Sequence, residues 1–175
     1  MKILIIIDML NGFCREGYNL SLPNYNADIE TYIKKQIEKY LSNGDKIIFM
    51  CDNHKLSDPE INNPYEPHCM EGTVEAEIID TLSGYKKDAF KIIPKHTLSI
   101  MYKTELESIL QELNPDEIEL VGVCTDICDL FAVYELRIRG YKVVVSKKGV
   151  LPLYIDKQES FLEYFEKVLG ATVCV

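Results

Sequence analysis

Three side chains of this 175-residue chain carry the groups that nucleophilic hydrolysis needs: the thiol of Cys128, the carboxylate of Asp8 and the ammonium of Lys95. Cys128 lies just past an apolar run ending in Val121-Gly122-Val123, which reads as a buried strand. It also lies just inside a helix in which Leu130, Val133, Tyr134 and Leu136 repeat at helical spacing until Gly140. With Thr125 as N-cap, Cys128 falls near the third helical position. Unpaired N–H groups and the positive end of the helix dipole there favour a thiolate and can stabilise an oxyanion. Asp8 closes the apolar run 3–7, and Lys95 follows the apolar run 89–94. As strand ends of an open parallel sheet, both fall at the carboxyl edge, where ligands bind. Each has a plain alternative: a buried thiol behaves as a small hydrophobe, an acid after a strand caps a turn, and a lone lysine is solvated. Their joint occurrence is what points to chemistry.

A second group of residues has metal-ligand character. Asp52 closes the apolar run 46–51, and a long acidic loop rich in Pro and Asn follows, holding His54 and His68. Loops of this length are usually functional or disordered. Carboxylate with histidine suits one divalent cation, zinc first, with manganese or iron as alternatives.

The elements that must position these groups alternate. Helices are expected at 27–41 (Ile29, Ile33, Ile37 and Leu41 spaced four apart), 73–82, 103–113, 125–139 and 156–169. Strands are expected at 3–8, 46–51, 89–94, 117–121, 142–146 and 171–175. Alternation of this kind, with no hairpin signal, predicts a three-layer α/β/α fold around a mostly parallel six-stranded sheet. No internal repeat is present, and one domain over 1–175 is expected.

A formal net charge of -9 and a pI near 4.9 argue against a nucleic-acid partner, because phosphate binding draws on clustered Lys and Arg. The first seven residues are too short for a membrane span and meet Asp8 without a small-residue cleavage site, so no membrane partner and a cytoplasmic location are expected. The partner expected is a small molecule, and the oligomeric state is left open, a homo-oligomer included. The six cysteines are expected to be reduced and mostly buried.

The order Asp8, Lys95, then Val-Gly-Val-Cys-Thr-Asp-Ile-Cys over 121–128 resembles the isochorismatase-like cysteine hydrolases along nearly the whole chain. Asp52-Asn-His54 followed by Pro67-His68-Cys69-Met70-Glu71-Gly72-Thr73 looks like the metal segment of the nicotinamidases among them. The resemblance implies the strand order 3-2-1-4-5-6. It implies that Cys128 attacks an amide, Asp8 moves the proton and Lys95 keeps Asp8 ionised. The N–H groups of Cys124 and Cys128 would form the oxyanion hole, across a cis peptide between Val123 and Cys124. It places Phe13 against a pyridine ring, and Tyr65 where the family has a Trp that this chain lacks. Glu60 takes the place of the family's usual third histidine and becomes the fourth ligand beside Asp52, His54 and His68, with Asp58 and Glu66 as rivals. Ser99 completes the family's Lys-x-x-x-Ser, and His96 has no assigned role. The activity implied is conversion of nicotinamide to nicotinate and ammonia through a thioester at Cys128, the metal taking the pyridine nitrogen. The alternatives are hydrolysis of another small amide by a metal-free relative, and a non-catalytic metal-binding protein.

Overall fold

The computed structural model describes residues 1–175. The six strands are β1 (Lys2–Ile7), β2 (Lys46–Asp52), β3 (Lys91–Lys95), β4 (Glu117–Val123), β5 (Val143–Leu151) and β6 (Thr172–Cys174). All neighbouring pairs are parallel, in the order β3-β2-β1-β4-β5-β6. The helices are α1 (Asn11–Cys14), α2 (Asp28–Ser42), α3 (Asp80–Ser83), α4 (Leu106–Leu113), α5 (Cys128–Ile138) and α6 (Gln158–Lys167).

β1 is central because it is apolar on both faces. Ile3, Ile5 and Ile7 pack with residues of α4, α5 and α6, whereas Leu4 and Ile6 pack with Ile29, Ile33 and Ile37 of α2. Five fully buried aliphatic side chains contribute on the order of 10 kcal/mol of transfer free energy, at ~2 kcal/mol each. This double burial explains the unbroken apolar run, since a strand with one wet face would alternate. Parallel register then sets the site. Ile7 pairs with Met50 on one side and Gly122 on the other, and Asp52 pairs with Lys95, so the residues ending β1, β2, β3 and β4 converge at one carboxyl edge.

Two local expectations need correction. The helix expected over 125–139 begins only at Cys128, with Ile127 as its N-cap, and Thr125 caps nothing: its N–H donates to Leu151 O and its hydroxyl is buried without a partner. Asp126 pins the turn instead, accepting the N–H groups of Leu153 and Tyr154, so the chain cannot coil before Cys128. The helix expected over 73–82 is broken into a short 3₁₀ turn at Val74–Ala76 and α3. Between them, Asn11 N–H donates to Glu77 O and Ile79 N–H to Met9 O, an extended pairing that outcompetes helical bonds.

Candidate active site

Asp8, one residue past β1, has φ +50, a left-handed conformation that Asp tolerates better than most residues. It turns the carboxylate out of the strand direction and into the carboxyl edge. Asp8 Oδ1 accepts the N–H of Asp52 at 2.8 Å. Lys95, wholly buried at the end of β3, places Nζ 2.8 Å from Asp8 Oδ2, 2.5 Å from Asp52 Oδ1 and 3.6 Å from Cys128 Sγ. Asp8, Asp52 and Cys128 bring ligand atoms within 4.8 Å of one another around this ammonium.

Electrostatics follow from burial and that one cation. Burial and repulsion from Asp52 push the Asp8 carboxyl up to about 6 against the pull of Lys95, so Asp8 is largely ionised at neutral pH. Burial drives the Cys128 thiol well above its ordinary value, opposed by Lys95. The resting pair is therefore a thiol beside a carboxylate. Cys128 is the first residue of α5, and neither its N–H nor that of Cys124 donates to any group of the chain. The Val123–Cys124 peptide is cis. Just upstream, Gly122 is required: at φ +133, an added Cβ would lie 2.0 Å from Ile7 O.

The metal-type residues adjoin this group. Asp52 Oδ1 is 3.4 Å from His54 Nε2, Asp52 Oδ2 is 3.9 Å from His68 Nε2, and His54 Nε2 is 4.0 Å from Glu60 Oε1. Metal–ligand bonds of ~2.0–2.2 Å put neighbouring ligand atoms about 3–4 Å apart, so the spacing suits a cation. The decisive observation is polar: His54 Nε2 and Glu60 Oε1 are both buried and have no hydrogen-bond partner. Each histidine meanwhile has its outer nitrogen engaged, His54 Nδ1 at 3.2 Å from Asp58 Oδ2 and His68 Nδ1 at 2.8 Å from Glu66 O. This fixes the inner lone pairs inward, the arrangement that metal-binding histidines adopt. Burial and repulsion from Asp52 push Glu60 up to about 7.

The two rivals for the fourth position are placed differently. Asp58 bonds the outer side of His54, and also accepts the Lys55 N–H and meets His96 Nδ1 at 3.3 Å. Glu66 has an exposed side chain and offers only its carbonyl. Ser99 does not reach the site; it donates to Glu135 and accepts the N–H groups of Met101 and Tyr102. Phe13, in α1, and Tyr65 stand edge-on to His68 with centroids 5.7 and 5.9 Å away, so both rings wall the same space. Three features escape sequence reasoning. The bridge from Lys95 to Asp52 depends on strand register, the engagement of His96 by Asp58 on loop folding, and the complete burial of Asp129 on the rotation of α5. Both carboxyl oxygens of Asp129 lack a partner.

An open α/β sheet with a buried lysine, two aspartates and a helix-start cysteine at its ligand edge defines the class. The chain belongs to the isochorismatase family, whose isochorismatase domain matches residues 2–175; it is an isochorismatase-family hydrolase. It is similar to the crystal structure of nicotinamidase from Bacillus subtilis, at 30% identity, a TM-score of 0.92 and 99% coverage of both chains. Nicotinamidase 1 of Arabidopsis thaliana is 27% identical over 88% of this chain and 72% of its own. A pyrazinamidase of Pyrococcus horikoshii, solved in complex with zinc, is 25% identical with a TM-score of 0.84, over 99% of this chain and 98% of its own. No helix is long and apolar enough to cross a membrane.

Proposed function

We propose that this chain is a cysteine-dependent amidase whose preferred substrate is nicotinamide. The observation that carries the reading is the single ammonium of Lys95 in contact with Asp8, Asp52 and Cys128. Asp8, ionised at neutral pH, takes the Cys128 proton as Sγ bonds to the amide carbon. The free N–H groups of Cys124 and Cys128 receive the developing oxyanion. When the tetrahedral adduct collapses, the C–N bond breaks and Asp8 returns the proton to the departing ammonia, leaving a thioester on Cys128. Water, deprotonated by Asp8, then attacks the thioester, releasing the acid and the thiol. Lys95 keeps Asp8 anionic between these transfers.

Asp52, His54, His68 and Glu60 would hold the divalent cation, zinc by the donor set, which supplies a Lewis-acid anchor for a pyridine nitrogen. Phe13 and Tyr65 would orient the ring beside it. The zinc complex of the pyrazinamidase relative supports this assignment. Ammonia release from a panel of small amides tests the proposal: fastest turnover of nicotinamide or pyrazinamide in zinc-loaded protein is expected. Turnover confined to non-aromatic amides and indifferent to chelator would withdraw the pyridine substrate and the cation's role, and no turnover of any amide would withdraw amidase activity.

A further inference from the structure

A cavity of about 530 Å³ opens between the start of α2 and the far end of β5, and none of Asp8, Asp52, Lys95 or Cys128 lines it. Pockets that take small molecules have this size. A backbone irregularity builds it. Leu120 of β4 pairs with Val145 and Gly122 with Val150, so residues 146–149 of β5 stand opposite Val121 alone. β6 gives them no cover, because its pairing ends at Ser146. Bulges of this kind re-aim side chains, and this one presents Lys147 and Lys148 to the cavity. It fits closely on α2. Ser146 Oγ donates to Tyr32 Oη at 2.5 Å, and a Cβ at Gly149 would come within 2.6 Å of Val121 Cγ1 and 3.1 Å of the Tyr32 ring.

The lining has two chemistries. With 28 acidic residues to 19 basic ones, a lysine of this chain usually finds a carboxylate. Lys147 is held by Glu159 at 2.5 Å, but Lys35 of α2 and Lys148 of β5, which face the same cavity from separate elements, have no ion-pair partner. Asp28 is the one carboxylate in the lining. In the same turn of α2 the N–H groups of Ile29 and Glu30 donate to no group of the chain, so the positive end of the helix adds to the two ammonium groups. This half suits an anion. The other half is apolar, made by Ile29, Val150, Leu151 and the Tyr32 ring, and it ends at Gln158. Gln158 Nε2 donates to Val150 O at 3.0 Å, while its Oε1 is buried without a partner and lacks a donor.

We propose that this cavity is a binding site for a nucleoside 5′-monophosphate. Its phosphate lies between Lys35 and Lys148, and its base lies on the apolar wall with a ring N–H or amino group donating to Gln158 Oε1. Inorganic phosphate would leave the wall and Gln158 unused. A nucleic-acid strand would meet the net charge of -9 beyond the cavity. The site stands apart from the amidase reading, although the same strand end serves both places: Leu151 O accepts the Thr125 N–H in the turn that carries Cys124 to Cys128.

Isothermal titration calorimetry of the intact protein tests this, with AMP, GMP, CMP and UMP as probes and ribose 5-phosphate and the four nucleosides as controls. At least one nucleotide is expected to bind saturably, ten times or more tighter than ribose 5-phosphate or its own nucleoside. Lys35→Glu and Lys148→Glu, both at exposed side chains, are each expected to weaken that nucleotide at least tenfold with circular dichroism unchanged. Gln158→Leu should weaken the nucleotide and leave ribose 5-phosphate unaffected. Binding of none of the four nucleotides overturns the proposal. So does nucleotide binding that both lysine variants retain, which would lie elsewhere, or ribose 5-phosphate binding as tight as the nucleotide, which would mark a bare anion site.

Discussion

Lys95 has no exposed surface, and everything polar within its reach belongs to the site. Lys95→Ala leaves Asp8 and Asp52 facing each other without their cation, so the Asp8 carboxyl rises further and the proton acceptor is lost at neutral pH. Turnover is expected to fall ~10²–10⁴-fold, the usual worth of a positioned acid–base group. In the wild type Asp8 must be ionised to act, so activity is lost as pH falls through its folded pKa. The acidic limb of the pH–rate profile is expected at about 6, or lower where a bound cation offsets Asp52. Cys128→Ala abolishes turnover, whereas Cys124→Ala, which keeps its backbone N–H, loses little; equal losses in the two would instead favour a role for both sulfurs. On the metal side, Asp58→Asn weakens the hold on His54 Nδ1 and should lower zinc affinity ~10–100-fold, the usual effect of losing an outer partner. Glu66→Ala should leave zinc affinity unchanged, because only the Glu66 carbonyl is used. Competition with a chromogenic chelator reads both, and an unaffected Asp58→Asn would remove Asp58 from the support of the site.

At the scale of elements, α5 combines the thiol with an unexplained expense. Asp129, directly after Cys128, is wholly buried with neither carboxyl oxygen bonded, and burial holds its pKa well above the ordinary range. The sign is fixed by that shift. The folded state keeps a proton that the unfolded chain, with a carboxyl pKa of ~3.9, gives up, so Asp129 costs stability increasingly as pH rises above that value. Asp129→Val is expected to raise stability by about 1–3 kcal/mol, and its advantage over the wild type should be larger at pH 7 than at pH 4. Urea titrations at the two pH values check this; an advantage that shrinks with pH would mean that the carboxylate has a partner. Gly122→Ala is the opposite case, because its Cβ would collide with the β1 backbone where β4 delivers Cys124. A loss of several kcal/mol or outright misfolding is expected, against the ~1 kcal/mol gain that Gly→Ala gives at a permissive site.

Over the whole molecule the net charge of -9 acts through self-repulsion. Salt screens it over a Debye length of ~10 Å at 0.1 M, so the melting temperature should rise as salt is added from low ionic strength. Cys14, Cys51, Cys69, Cys124 and Cys128 are buried and Cys174 is half-buried, and no two of them are joined. Burial pushes the Cys14 thiol up to about 12, against the pull of Tyr25 and Arg15, so reactivity toward alkylating reagents is not general among them.

The apolar runs at β1, β2 and β4, each closed by a polar or reactive residue, determined the parallel sheet and the edge at which Asp8, Asp52 and Cys128 gather. Burial on both faces writes itself into consecutive residues, and strand ends are local. Asp52, His54 and His68 were legible for the same reason, because ligand type and spacing are local too. What the sequence by itself left undetermined are relations between distant segments. That Lys95 bridges to Asp52 as well as Asp8 follows from the register of β2 on β3, and that Glu60 approaches the inner nitrogen of His54 while Asp58 holds its outer one follows from how the 53–72 loop closes. The start of α5 at Cys128 was decided by Asp126 binding the chain after β5, 27 residues onward. Local propensity placed the helix three residues too early because one hydroxyl cap contributes about 1 kcal/mol, and a tertiary clamp with two backbone bonds outweighs it.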